Sequence, residues 1–348
     1  MINSMLLPSL SPNISHSSLL RWWFNSNSLI DVSAQSAAYE ISTILDSHIY
    51  SNIITSGFEF HHYKSTRLPD YLVYLSSSDL SSLPNNSLPV WWDTYINALT
   101  TSTEYSAFSF IPENWLEFDY ISPKLILTGL WQRLSEPIRS YDYDQWINVA
   151  KLLSNSFIPF ESLVNSSLIR HIVSCFSLPE QIGLMHGRSS NLKLMYHLST
   201  PASLENFVDF INSSDSSIKS IFLPISKYLL EYGHILRPAI SFDIDLRSNM
   251  LSSNDLSIEI HEKHQIGRQL SIHTYDFISS LLTIDSDQFV DLNSLLKTLP
   301  FAQSFSYSLE NNSMTSLTNI SRLNHIKFQY RSSSWKVKSY VKLIQLIS

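Results

Sequence analysis

The spacing of apolar positions changes part-way along the chain. Residues 34–50 place Ala37, Ile41, Ile44 and Leu45 at helical spacing, and 143–155, 161–178, 202–212 and 216–232 repeat that pattern. Gly233, with Pro238 five residues on, predicts a stop for the 216–232 helix. Short strand-like pieces at 57–63 and 105–111 interrupt the helices. Beyond Pro238 the period becomes two. Ile240, Phe242, Ile244 and Leu246 alternate with Ser241, Asp243, Asp245 and Arg247. Leu256, Ile258 and Ile260 alternate in the same way with Asp255, Ser257, Glu259 and His261. Phe305, Tyr307 and Leu309 alternate with serines, and 276–284 and 288–299 read as helices between the strands. The expected fold is α+β: a mainly α-helical region over 1–235, then a β-rich antiparallel region over 236–348. The boundary is soft enough for one continuous domain.

The segment 323–344 reads as a hairpin. Ile326, Phe328 and Tyr330 alternate with His325, Lys327, Gln329 and Arg331; after three serines, Trp335, Val337 and Val341 alternate with Lys336, Lys338 and Lys342. Pairing Arg331 with Lys336 and Lys327 with Tyr340 keeps one face basic and the other apolar. A three-residue loop would mix the faces, so a two- or four-residue loop is expected.

Composition narrows the function classes. The 348 residues include only 6 Gly, far below the usual share of about 7%, which argues against glycine-rich phosphate loops and the nucleophile elbow. Gly57, Gly183, Gly187 and Gly267 are expected at turns and Gly129 in a helical stretch, leaving no glycine for a ligand cradle. Lys and Arg number 23 against 30 Asp and Glu, a net charge of −7, so a whole-protein basic field is absent. Charged residues are only 15% of the chain, and Ser and Asn fill the polar positions. A single cysteine, Cys175, points to a reducing, intracellular compartment, inside a host cell or virion if the protein is viral. Met1–Pro12 lacks the positive start of a signal peptide, and no run is long enough to span a bilayer, so no membrane partner is expected.

Several constellations look chemical. Gly183–Ser189 is one residue short of a P-loop and carries Arg188 in place of Lys. His171 and Cys175 lie four apart on one helix, among apolar neighbours that favour a structural thiol. His261, His264 and His273 lack zincin spacing, and His61 and His62 point to opposite faces of a strand. The best enzymatic case is Asp243 and Asp245 with Glu259 and His261 from the next strand, a carboxylate face able to take Mg²⁺ or Mn²⁺ for phosphodiester hydrolysis. The simpler reading is a solvated face, and the basic hairpin is an obvious partner for it.

The leading functional expectation is a non-enzymatic assembly protein without a cofactor, a viral structural or capsid-associated component of clamp or cementing type. It rests on weak charge, Ser/Asn surfaces and the paired tryptophans at Trp22 and Trp91, whose partners would be other protein subunits in a larger assembly. The alternative is an RNA-binding or viral-factory protein. There Lys327, Arg331, Lys336, Lys338 and Lys342, with nearby aromatics, would grip single-stranded RNA.

Overall fold

The computed structural model describes residues 14–26, 30–47, 53–63, 69–76, 113–121, 124–133, 147, 160–185, 192–245, 251, 253–261, 271–282, 284, 286–299, 301–308 and 314–347. Strands run the whole length of the chain. In chain order they are β1 (Ile53–His61), β2 (Asp70–Leu75), β3 (Glu113–Ile121), β4 (Lys124–Arg133), β5 (Gln181–Met185), β6 (Leu192–His197), β7 (Pro238–Ile244), β8 (Leu256–Ile260), β9 (Phe301–Ser308), β10 (Met314–Arg331) and β11 (Ser334–Ile347). All eleven lie in one antiparallel sheet. β10 pairs with β8 through 326–329 and with β11 along its length, and β11 pairs with β1, so ten strands close into a barrel. β9 lies on the N-terminal half of β10.

Helices come in pairs ahead of hairpins. They are α1 (His16–Ser26) and α2 (Val32–Asp46), α3 (Phe160–Asn165) and α4 (Ser167–Phe176), α5 (Pro201–Ser213) and α6 (Ser216–Leu236), and α7 (Ile272–Leu281) and α8 (Ser286–Leu296). They precede β1–β2, β5–β6, β7–β8 and the β9–β11 group in turn. Among the described residues, four of the five strand groups are thus preceded by a helix pair; the stretch ahead of β3–β4 lies outside them.

This overturns the α+β expectation of a helical region followed by a β-rich one. Strands of a covered barrel are buried on both faces, so β2, β4, β5 and β6 read as mixed apolar runs. Periodicity cannot separate these from buried helix. The sheet also continues across position 236, where β6 pairs with β7 from Leu192–Ile244 to His197–Ala239. The expected strand at 105–111 and nearly all of the expected helix at 143–155 lie outside the described residues.

The barrel strands turn mainly apolar side chains outward, towards the helices. Trp23 of α1 stacks on Phe58 of β1 at 5.0 Å, Phe210 of α5 packs on Phe242 of β7 at 5.4 Å, and Phe277 of α7 meets Phe328 of β10 at 5.5 Å. Trp22 joins this layer, 8% exposed, with its indole donating to Gln303 at 2.8 Å; it therefore offers no partner surface. Trp91 lies outside the described residues.

Serine supplies local signals that glycine often does. Ser166 and Ser271 cap α4 and α7 by accepting from backbone N–H groups, and Thr200 with Ser203 forms a capping box at α5. The β10–β11 turn is two residues, Ser332-Ser333, both at positive φ as a type I′ turn demands. The loop length and segregated faces are as expected, but the register differs: Arg331 faces Ser334 and Lys327 faces Lys338. Gly233 does not end its helix. α6 runs to Leu236 and stops at Arg237 in the left-handed conformation, while Gly233 lets Leu204 of α5 approach closely.

One buried link ties α8 to the barrel. His62 lies between Ser339 Oγ of β11 at 2.7 Å and Asp291 of α8 at 2.8 Å. These are the contacts of a Ser–His–Asp triad, but Ser339 is fully buried and lines none of the lumen cavity, so the link is structural. Gln288 adds two more bonds, donating to Trp335 O and accepting from Val337 N where β11 runs past the end of β1.

Candidate functional site

The inward face of the barrel is densely charged. On β1, Phe58 and Phe60 point to the helices, so Glu59 between them and His61 after them point to the lumen. The same alternation turns Asp70, Glu117, Lys193, Asp243, Glu259, Lys327 and Lys338 inward. Taking ions out of water costs several kcal/mol each unless pairing and hydrogen bonds offset it. Three clusters supply that pairing.

In the first, Asp243 accepts from Gln329 at 3.0 Å and lies 3.6 Å from Arg331 and 3.8 Å from Lys193. Burial works to raise its carboxyl pKa, but Lys193 and Lys327 bring it below the usual range. In the second, Lys338 holds Glu59, and His61 lies 3.2 Å from the same carboxylate. His61 also bonds Asp70 at 2.6 Å and the Tyr63 hydroxyl at 2.9 Å, while Asp70 accepts from the Tyr120 N–H. Burial again opposes ionisation, and Lys338 outweighs it, so Glu59 stays well below the ordinary carboxylate range. In the third, Lys327 donates to Glu259 Oε1 and to Ser241, each at 3.0 Å. The other oxygen, Oε2, faces His261 at 3.6 Å and His325 at 3.5 Å. Glu259 is likewise held well below its usual range by Lys327, against burial.

Aromatic rings wall the space between these clusters. Trp131 donates its indole N–H to Glu117 at 2.7 Å, with the Lys193 and Lys327 ammonium groups 5.4 and 6.0 Å from its ring centre. Lys342 lies 5.6 Å from the ring of Trp115, and His325 stacks on Tyr340 at 4.0 Å. They border a cavity of about 240 Å³ lined also by Arg133, Met195, His197, Glu259 and His261. Gly57, Gly129 and Gly183, expected at turns or in a helix, all lie within strands on this inner face; a Cβ at Gly183 would come 3.0 Å from the Trp131 ring. Gly129 and Gly183 therefore clear space on the lumen side around Met185 and Trp131, while a Cβ at Gly57 would meet the Val341 backbone. No family model matches the chain, and no curated protein matches it in sequence.

The site residues expected from sequence divide in two. Lys327 and Lys338 are inside the barrel, and Lys336 and Lys342 are half-buried beside lumen rings. Arg331 lies at the end of β10 by Asp243. The basic face thus meets the acidic one within the fold. The Asp243–Asp245–Glu259–His261 metal set does not assemble. β7 and β8 are neighbours, but Ala239, not Asp243, stands opposite Glu259. Four residues of strand separate Asp243 from that level, about 13 Å. Asp245 lies past the end of β7. His171 and Cys175 do approach, at 4.0 Å, with burial pushing the thiol pKa up, the wrong direction for a nucleophile. Glu59, Asp70, Glu117, Lys193 and Trp131 were not singled out by sequence. Their signal was a charge or Trp between apolar neighbours, as in Phe58-Glu59-Phe60 and Leu192-Lys193-Leu194.

The lumen gives stability a distinctive pH profile. Burial pushes His325 down from 6.5 to about 3, so the folded ring stays neutral while the unfolded one takes up a proton. Stability should therefore fall as pH drops through that window, by up to about 1.4 kcal/mol per unit. The stabilisation from Glu59, Glu259 and Asp243 is present above their unfolded values near pH 4 and is lost below them. Denaturant midpoints should show a decline between pH 6.5 and 4.5 that His325→Phe flattens. An equally steep decline in that variant would contradict the assignment.

Proposed function

We propose that the barrel is a small-molecule chamber, and that its ligand is an anionic, phosphate-bearing compound whose organic part lies against Trp131 and Trp115. The observation that carries this reading is the inversion of the barrel: apolar side chains face the helices, and buried ions and aromatic rings face an open lumen. A ten-stranded barrel is wide enough to admit a small ligand, and an interior with only a structural role is served by packed apolar side chains. Arg133 and Lys342 line the cavity together with Trp131 and Trp115, and cations beside an aromatic wall, in a space shielded from water, give an anion strong Coulombic attraction.

Calorimetry with inorganic pyrophosphate on the full chain tests the binding step. Saturable binding should weaken at least about tenfold, or 1.4 kcal/mol, in Arg133→Met and in Lys342→Met. Absence of binding, or unchanged affinity in both variants, would overturn the proposal. The assembly reading rests on composition, and single-stranded RNA would have to enter the barrel to reach Lys327 and Lys338. No helix among the described residues is long and apolar enough to cross a membrane.

A further inference from the structure

We propose that Glu259, His261 and His325 form a divalent transition-metal site opening on the lumen cavity, with Zn²⁺ the cation that the donor set fits best. Glu259 and His261 are two residues apart at the end of β8, so both project to the same side. His325 comes from β10, where a bulge between Leu323 and His325 shifts the register and Ile326 pairs with Ile260. Bulges re-aim side chains, and here the extra residue, Asn324, brings an imidazole beside that of His261, with ring centres 4.8 Å apart.

The three donor atoms lie within 4.8 Å of one another, and both Glu259–His separations, 3.5 and 3.6 Å, are close to the ~3.3 Å edge of a tetrahedron with bonds near 2.0 Å. A second observation points the same way. Among the described residues, Glu259 Oε2 and His261 Nε2 are buried and neither completes a hydrogen bond, facing each other at 3.6 Å, although the carboxylate is almost wholly enclosed. Lys327 occupies Oε1, which leaves Oε2 as a single, oriented ligand atom. Asn324 lies 3.1 Å from His325 Nδ1. With its amide oxygen turned to that nitrogen it accepts Nδ1–H and leaves Nε2 unprotonated for the metal.

Two imidazoles and one carboxylate, with the remaining positions facing a cavity, suit Zn²⁺ in an open site; Fe²⁺ takes the same donors. One oxygen donor among three is a poor match for Mg²⁺ or Ca²⁺. A fourth position on the cavity side would hold water or a ligand oxygen.

The test uses metal alone, so its outcome is separate from that of phosphate binding. The chelator-dialysed full chain is titrated with Zn²⁺ by calorimetry. One ion per chain is expected, with affinity lowered at least about tenfold in His261→Gln and His325→Gln and unchanged in His171→Gln. No binding to the native chain, or native affinity in the first two variants, would overturn the proposal. If those variants fail to fold, as judged by circular dichroism, Co²⁺ bound to the native chain decides. Intense visible bands of a four- or five-coordinate centre support the site, and the weak bands of six-coordinate Co²⁺ overturn it.

Discussion

Lys327→Met should destabilise the folded chain by about 3–5 kcal/mol, the cost of leaving a buried carboxylate without its cation. Lys327 and Glu259 are each 3% exposed and 3.0 Å apart, and Lys327 also donates to Ser241. Lys338 faces Lys327 directly across the β10–β11 hairpin. Two like charges in that position are tolerated because each has its own glutamate, Glu59 for Lys338 and Glu259 for Lys327. Removing Lys327 relieves the repulsion but strands Glu259, and the second effect is the larger. The double variant Lys327→Met/Glu259→Gln should recover most of the loss in urea unfolding. A single variant within about 0.5 kcal/mol of the native chain would mean that the Lys327–Glu259 pair is solvated and not buried.

Gly57→Val should be comparably damaging for a different reason. Gly57 sits opposite Lys342 where β1 meets β11, the seam that closes the barrel, and a Cβ there would lie 2.5 Å from the Val341 carbonyl oxygen. The obstructing atom is backbone and cannot rotate away, so the strands must separate. A loss of about 3 kcal/mol is expected, at the upper end for overpacking. Gly183→Ala is the control. Its nearest neighbour is the terminal methyl of Met185, which can move, so a smaller loss in thermal unfolding is expected. Equal losses in the two variants would argue against a special role for the seam.

Much of the local structure was legible because one face of the relevant elements obeys a simple period. The helices at 202–212 and 216–232, the alternation through Asp243 and Glu259, and the two-faced hairpin ending at Ser332-Ser333 all follow from spacing. Closure was not legible. Nothing in Lys124–Arg133 or Gln181–Met185 marks a strand covered on both sides, and charges on an inward face look the same in sequence as charges on a solvated one. The histidine cluster depends on one extra residue, Asn324, which shifts His325 beside His261; pattern alone gives no sign of it. The glycines were misplaced as well: Gly129 and Gly183, expected in a helical stretch and at a turn, sit in strands and clear space around Trp131 and Met185.

On the proposed function, the inverted, charged lumen is where the ligand binds. A crystal structure grown with inorganic pyrophosphate tests it most directly. The anion is expected inside the barrel, beside Trp131 and within reach of Arg133 and Lys342. Pyrophosphate ordered only on the outer, helix-covered surface, with the lumen closed over by side chains, would contradict it.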